Sequence, residues 1–152
     1  MERDDIPSIA AWMSADPHWQ TYGMTVSSIV SDFYDALTHD DLVIVAESEH
    51  QVGGFAWVMP YGMFGAHPYL KRIGVDPSRT GQSMGAALMN HLERHFAANN
   101  AQYLYLLVGS QNPRAEAFYR RRNFVQLAAF PDFAVPGIEE RLYRKELIAL
   151  SY

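Results

Sequence analysis

Two stretches of the chain place residues where chemistry is possible, and the more informative one spans residues 73–88. There an apolar segment, residues 69–75, runs into a polar turn that contains Pro77 and Gly81. A long segment with apolar residues at i, i+3, i+4 and i+7 follows, which predicts a helix. The first amides of a helix have no partner within it and lie at the positive end of its dipole. A junction of small residues at that point therefore predicts an anion site, typically for phosphate.

The residues alone leave two interpretations of this junction open. One is a phosphate-binding loop, and the other is an ordinary turn that leads into a helix. Two sharper phosphate motifs are absent from the sequence. There is no G-x-x-x-x-G-K-[ST], and Gly81 and Gly85 do not complete G-x-G-x-x-G.

The composition predicts one folded domain that spans residues 1–152. Apolar residues make up 49% and aromatic residues 13% of the chain, which argues against disorder. The formal charge of −5 argues against a nucleic-acid partner. No apolar run reaches membrane-spanning length, and the first five residues do not resemble a signal peptide, so no membrane partner is expected. With no cysteine there is no disulfide, thiolate nucleophile or Cys-ligated zinc, and a cytoplasmic location is expected.

The elements that must position the junction follow the order α-α-β-β-β-α-β-α-β-β. Helices are predicted at residues 4–13, 25–37, from the junction to about 98, and 113–122, and strands at 42–47, 52–59, 69–75, 103–108, 124–130 and 140–147. A loop is expected after Asp16-Pro17, a connection at residues 60–68, and a bulge at Gly53-Gly54. An early hairpin followed by β-α-β units predicts a mixed α/β fold with helices on both faces of the sheet.

The junction resembles the coenzyme A loop of the GNAT superfamily of N-acetyltransferases, which reads V-x-P-x-x-[RQ]-G-x-G-x-G/A-x-x-L. The family positions that match are Val75, Pro77, Gly81, Gly85 and Leu88. Two positions depart from the pattern. Thr80 replaces the usual Arg or Gln and removes a charge, although Arg79 is adjacent. Ser83 replaces Gly and adds a hydroxyl that could bond a phosphate oxygen.

Residues 112–124 resemble the second motif of the same family, N-x-x-A-x-x-F/L-Y-x-x-x-G-F. The matching positions are Asn112, Ala115, Phe118, Tyr119 and Phe124, while Asn123 replaces Gly and suits a left-handed helix cap. Because both motifs occur in the right order and spacing, the chain is identified as a member of the family. The resemblance implies a GNAT-like, mostly antiparallel central sheet. Family members usually begin with a strand, and with only three residues before residue 4 we expect it to be missing or vestigial.

The resemblance also implies acetyl-CoA as the co-substrate, inserted between diverging strands that end near Val75 and Val108. Backbone groups of Ile73 and Val75 would bond its pantetheine, and Asn112 would contact it from the neighbouring loop. The pyrophosphate would be held by the amides of Thr80, Gly81, Gln82, Ser83, Met84, Gly85 and Ala86.

By the same resemblance, Tyr119 would point its hydroxyl at the thioester sulfur and protonate the leaving thiolate. A phenol with a pKa of about 10 suits that task. Without the resemblance, Tyr119 would be one more aromatic residue on a helix face. The sequence does not identify the general base. His67 is the candidate because imidazole titrates in the useful range, and a base acting through water, or no base, are the alternatives.

Substrate contacts in this fold come from the early helices and the mid-chain loop. The aromatic candidates, each with core packing as the competing interpretation, are Trp19, Tyr22, Trp57, Tyr61 and Phe64. His91 and His95 lie on the apolar stripe of their helix, which favours packing, and no metal is predicted. Glu139-Glu140 is interpreted as a strand-end cap or turn.

The predicted function is transfer of an acetyl group from acetyl-CoA to a primary amine of a small molecule or peptide by direct attack, with Tyr119 as the general acid. One alternative is a catalytically inactive sensor or partner module that binds coenzyme A. Another is a transferase of a different acyl group. The sequence does not name the amine, and exposed edge strands would allow a homodimer.

Overall fold

The chain is built on a six-stranded sheet in the computed structural model, which describes residues 1–148. The last four residues of the expected domain lie outside this range. The strands are β1 (Leu42–Ser48), β2 (Gln51–Met63), β3 (His67–Val75), β4 (Tyr103–Gly109), β5 (Val125–Phe130) and β6 (Glu140–Glu146). The helices are α1 (Ile6–Ala15), α2 (Pro17–Thr21), α3 (Val26–Thr38), α4 (Met84–Ala98) and α5 (Pro113–Arg121).

The strands lie in the order β1-β2-β3-β4-β6-β5. Every neighbouring pair is antiparallel except β3 and β4, which are parallel. The predicted mixed, mostly antiparallel sheet is therefore confirmed. Arg3–Asp5 form a 3-10 turn, and no strand precedes α1 within the described residues, which agrees with a missing first strand.

The two faces of the sheet carry separate hydrophobic clusters. On one face α4 and α5 pack through buried residues such as Leu88, Leu92 and Tyr119. On the other face α1, α2 and α3 pack through residues such as Ile9 and Phe33. The prediction of helices on both faces is thus confirmed, and any side chain of the sheet can be assigned to one face by the cluster that it joins.

Local sequence signals account for most element ends. Thr25 caps α3, because its hydroxyl accepts a hydrogen bond from the Ser28 amide at 3.2 Å. Asn123 has the left-handed backbone expected after α5, with φ of 67°. Residue Gly53 is the extra residue of a bulge, since Ala46 pairs with Gly54 but Glu47 pairs with Val52.

Two expectations about loops are wrong. The segment after Asp16 is helix α2, because the Asp16 carboxylate accepts the amide of His18 and Pro17 suits a first helical turn. Residues 60–68 form the end of the hairpin between β2 and β3 rather than a connection, because β2 continues to Met63, which pairs with His67. The strand was missed because Pro60 and the glycines of this stretch are residues that usually end strands.

Candidate active site

Strands β3 and β4 separate in the middle of the sheet. Their parallel pairing is limited to Tyr69 with Tyr105 and Leu70 with Leu106. Directly afterwards Lys71 forms a bulge, because Leu70 pairs with Val58 and Arg72 pairs with Trp57, which leaves Lys71 without an opposite residue. A bulge bends a strand and increases its twist, so the rest of β3 turns away from β4. The result is a gap where the sequence analysis expected diverging strands.

A cavity of about 330 Å³ occupies this gap. Its walls come from both faces of the sheet and from the strand ends. The walls include Ile73 of β3, Val108 and Gly109 of β4, and residues from α2, α5 and the start of β6. Those that are polar or aromatic are His18, Trp19, Tyr22, Tyr69, Lys71, Arg72, Asn112, Tyr119, Phe133 and Glu140.

The edge of β3 that borders the gap offers backbone hydrogen-bonding groups. The Asp76 amide donates to the Gly53 carbonyl of β2 at 2.8 Å. Because the backbone groups of an extended strand alternate in direction, those of Val75 and Ile73 point the other way, toward the gap. These are the two residues from which the sequence analysis expected contacts to pantetheine.

The loop between β3 and α4 presents a row of free amides. Gly81 has φ of 89° and Ser83 has φ of 57°, so the chain turns sharply into the helix. The first helical hydrogen bond runs from the Ala87 amide to the Ser83 carbonyl at 3.0 Å. Within residues 1–148 the amides of residues 83–86 have no hydrogen-bond partner. Four free amides thus lie at the positive end of a helix of 15 residues, a geometry that can bind an anion.

Side chains fix the same loop to the sheet. A Cβ on Gly53 would lie 2.5 Å from Arg79 Cδ and 2.8 Å from Met84 Sδ, so glycine permits the close approach. The Arg79 guanidinium binds the side chain of Gln51, and the Thr80 hydroxyl donates to the Pro77 carbonyl. Both side chains are thus used within the loop and its surroundings, whereas the exposed Ser83 hydroxyl has no hydrogen-bond partner in the described part of the chain.

Tyr119 enters the cavity from α5. Its ring packs edge-on against Phe118 and Phe124, which fixes its direction, and the residue is 6% exposed. Burial raises the pKa of Tyr119 well above the usual value for a phenol. The hydroxyl therefore stays protonated at neutral pH, and no group within residues 1–148 accepts a hydrogen bond from it.

Helix α5 is held on the sheet by a buried carboxylate. Glu116 accepts hydrogen bonds from the Tyr143 hydroxyl and from Arg141 Nη1, both at 2.7 Å. Burial alone would raise the pKa of Glu116, but these bonds and the arginine charges outweigh it, so the pKa is lowered. At the start of the helix the Asn112 side-chain oxygen accepts the Ala115 amide at 3.1 Å, which leaves its NH₂ group free to face the cavity.

The cavity also contains a buried carboxylate that the sequence analysis missed. Glu140 is 5% exposed, and the Tyr22 hydroxyl donates to its Oε1 at 2.7 Å. Burial, this hydrogen bond and the charge of Glu140 together raise the pKa of Tyr22. Glu140 is the first residue of β6, the strand end at which the sequence analysis placed it, but its place in the cavity wall was not predicted. A signal was present in the alternation of β6, since Glu140 and Leu142 point to one face and Arg141 and Tyr143 to the other.

The predicted substrate residues divide into two groups. Trp19 and Tyr22 line the cavity. Trp57 is instead buried in the core of the α1–α3 face, with its ring nitrogen donating to Asp41 at 2.8 Å. Tyr61 and Phe64 lie at the tip of the β2–β3 hairpin and are 73% and 94% exposed. Neither they nor Trp57 border the cavity.

His67 also lies outside the cavity lining. It begins β3, and its ring packs near those of Tyr103 and Tyr105 with centroid distances of 5.6 Å. His91 and His95 stack on each other along α4 with ring centroids 6.3 Å apart. Within residues 1–148 no group of three or more potential ligands is placed to hold a metal ion, and every helix there is too short or too polar to span a bilayer.

Known proteins resemble this chain in sequence and in fold. Mycothiol acetyltransferase of Amycolatopsis mediterranei (strain U-32) is 28% identical over 117 residues, or 73% of this chain, and the chain spans 39% of that protein's length. The aminoglycoside 6′-N-acetyltransferase complexed with coenzyme A has a TM-score of 0.79 at 15% identity, covering 100% of this chain and 97% of its own. The structure of yncA from Salmonella typhimurium with its cofactor acetyl-CoA has a TM-score of 0.75 at 14% identity, covering 100% and 94%.

The sequence model of the acetyltransferase (GNAT) family matches residues 6–124 of this chain. That range includes both motifs, the bulge in β3, the free amides of residues 83–86 and Tyr119. The chain therefore belongs to the acetyltransferase (GNAT) family, which confirms the resemblance found in its sequence.

Proposed function

We propose that residues 1–152 form one domain that moves the acetyl group of acetyl-CoA to a primary amine of a small molecule or peptide. The observation that carries this proposal is the gap between β3 and β4. Tyr119 lies in the wall of that gap, and the free amides of residues 83–86 lie beyond the end of β3.

The residues around the gap fit acetyl-CoA. The amides of residues 83–86 and the Ser83 hydroxyl would bind the pyrophosphate, since they are hydrogen-bond donors without protein partners. Backbone groups of Ile73 and Val75 would bond the pantetheine amides, and the free NH₂ of Asn112 would contribute from the opposite wall. The bound co-substrate supplies an activated acetyl group as a thioester.

Tyr119 would act as the general acid. Its hydroxyl, like any phenol, is protonated at neutral pH, and it has no competing acceptor within the described residues. It can therefore give its proton to the sulfur as the thiolate leaves. Proton transfer by a positioned side chain usually contributes about 10²–10⁴-fold to a rate.

An amine acceptor is supported by the size of the cavity and by a structural relative. The cavity of about 330 Å³ would suit a small molecule or the end of a peptide. The aminoglycoside 6′-N-acetyltransferase, as its name says, acetylates nitrogen, and its fold matches over the whole of this chain. The cytoplasmic location and the homodimer stay predictions from the sequence.

Release of coenzyme A from acetyl-CoA tests the proposal. A thiol-reactive dye reports only the released thiol, because the protein contains no cysteine. We expect acetyl-CoA to raise the thermal unfolding midpoint and amines to cause steady thiol release. A raised midpoint without amine-dependent release across a broad amine panel would instead indicate the inactive coenzyme A-binding module.

A further inference from the structure

Two buried carboxylates in this protein have very different surroundings. Glu116, 6% exposed, receives hydrogen bonds from Tyr143 and Arg141 and lies near Arg120, so its charge is compensated. Glu140, 5% exposed, receives one hydrogen bond, from Tyr22, and forms no ion pair within residues 1–148. Its Oε2 has no hydrogen-bond partner in that range. A buried carboxylate normally needs a partner charge or several donors, so Glu140 lacks a compensating group.

The cations that share the cavity are engaged elsewhere. Arg72 binds the Asp32 carboxylate at 2.7 Å. The ammonium of Lys71 lies 4.0 Å from the ring centre of Trp57, which is not part of the cavity wall. Neither therefore forms an ion pair with Glu140. The carboxylate lies beside the Tyr22 hydroxyl, and a Cβ built on Gly109 would be 3.5 Å from its Oε1.

Glu140 and Tyr119 reach the cavity from opposite faces of the sheet. Tyr119 belongs to the cluster under α4 and α5. The Glu140 carboxylate lies with Tyr22 on the face covered by α1–α3, because a Cβ on Gly109 would be 2.7 Å from Tyr22 Oη and 3.5 Å from Glu140 Oε1. A thioester held in the gap would therefore have the acid on one side and the carboxylate on the other.

We infer that Glu140 is the binding site for the ammonium group of the acceptor and the base that takes its proton. This inference rests on the proposed function and narrows its substrate class to primary amines that arrive as cations and carry no carboxylate beside the nitrogen. Tyr22 is a positioning residue, since its hydroxyl fixes one carboxylate oxygen and leaves the other for the amine. Tyr22 and Tyr69 both contribute aromatic rings to the wall of the cavity.

The proton balance of the step is complete. Glu140 takes one proton from the ammonium group, and the neutral nitrogen then attacks the acetyl carbonyl carbon to form the C–N bond. The C–S bond breaks, and Tyr119 gives its proton to the sulfur. The second proton lost by the nitrogen restores Tyr119 through solvent, and Glu140 returns its own proton to solvent. The products are the amide, coenzyme A as a thiol and one proton.

Calorimetric titration without acetyl-CoA tests the binding part directly. The probes are benzylamine, 2-phenylethylamine and butylamine as hydrochlorides at pH 7, with benzyl alcohol as an uncharged control. We expect the protein to bind at least one amine, and Glu140→Gln to weaken that binding at least tenfold. Glutamine can still accept the Tyr22 hydrogen bond, so the fold should persist. Glu139→Gln is the matched control, because Glu139 pairs with Arg141 outside the cavity and its loss should not affect amine binding.

Steady-state kinetics tests the catalytic part. Glu140→Gln should lower kcat at least a hundredfold with the KM for acetyl-CoA unchanged, and Glu140→Asp, which retains the charge, should recover part of the loss. Wild-type protein that binds none of the three amines, or Glu140→Gln protein that binds and acetylates them normally, would overturn the inference. Amine binding that depends on Glu140 without any thiol release would instead contradict the proposed function and leave the binding site standing.

Discussion

Removing the hydroxyl of Tyr119 should separate chemistry from stability. In Tyr119→Phe one oxygen atom is lost from a residue whose hydroxyl has no hydrogen-bond partner within residues 1–148. Because the hydroxyl faces the cavity and makes no protein hydrogen bond in that range, its removal should change the free energy of unfolding by less than about 0.5 kcal/mol. If the hydroxyl is the acid, kcat should fall about 10²–10⁴-fold, or roughly 3–5 kcal/mol of barrier.

Tyr143→Phe is the matched control and should show the opposite result. The Tyr143 hydroxyl donates to Glu116 at 2.7 Å and accepts from Arg120 at 3.1 Å, away from the cavity. Hydrogen bonds to charged groups contribute about 1.5–3 kcal/mol, so we expect a loss of about 2 kcal/mol and a midpoint lower by roughly 4–8 °C. At temperatures where this variant is folded, its kcat should equal that of the wild type.

The assays are thiol release at saturating acetyl-CoA and amine, and urea unfolding of each variant. Acetyl-CoA should still raise the midpoint of Tyr119→Phe, because the amides of residues 83–86 are untouched. A Tyr119→Phe enzyme with a kcat within threefold of the wild type would refute the assignment of the acid. If activity and stability fall together in both variants, the loss of activity in Tyr119→Phe would be explained by destabilisation of the fold.

Three further changes test other parts of the structure. Gly109→Ala would put a Cβ 2.7 Å from Tyr22 Oη, where ordinary contact needs 3.4 Å. We therefore expect a higher KM for amine, while acetyl-CoA should raise the thermal unfolding midpoint as it does in the wild type. An unchanged KM for amine would contradict the role of Tyr22. Glu116→Gln should lower the free energy of unfolding by about 2 kcal/mol at pH 7. Because the folded pKa of Glu116 is lowered, this difference between wild type and variant should vanish in urea titrations as the pH falls through that pKa. A difference that stays constant with pH would show that the charge of Glu116 is irrelevant. Ser83→Gly should relieve the left-handed backbone and stabilise the protein by up to about 1 kcal/mol, and a loss of stability in urea would reveal an unseen contact of the hydroxyl.

The sequence predicted the fold well where local signals and side-chain periodicity agree. Thr25 at the start of α3 and Asn123 after α5 mark helix ends because their side chains or backbone preferences act within a few residues. The long hairpin of β2 and β3 was missed, because Pro60 and nearby glycines usually end strands. Their effect was overridden by pairing across the hairpin, which depends on residues distant in sequence.

The sequence pointed to only part of the candidate site, namely the residues of its two motifs. Val75, Gly81 and Tyr119 lie in contiguous motifs, so the family resemblance carried them. Glu140 lies on the last strand and Tyr22 near the start of the chain, and their hydrogen bond joins residues 118 positions apart. Such a contact leaves no local pattern, and the aromatic candidates Trp57, Tyr61 and Phe64 could not be separated from Trp19 without knowing the burial and direction of each side chain.

The surplus residue at Lys71 has a consequence for how this sequence can vary. The opening in the sheet is produced by the number of residues in β3, so substitutions along the strand would leave the opening intact. Deletion of Lys71 would instead remove the bulge, leave residues 72–75 opposite the same residues of β2, and allow β3 to join β4 along its whole length. A protein built in this way tolerates wide divergence of its side chains but very little change in the length of that strand.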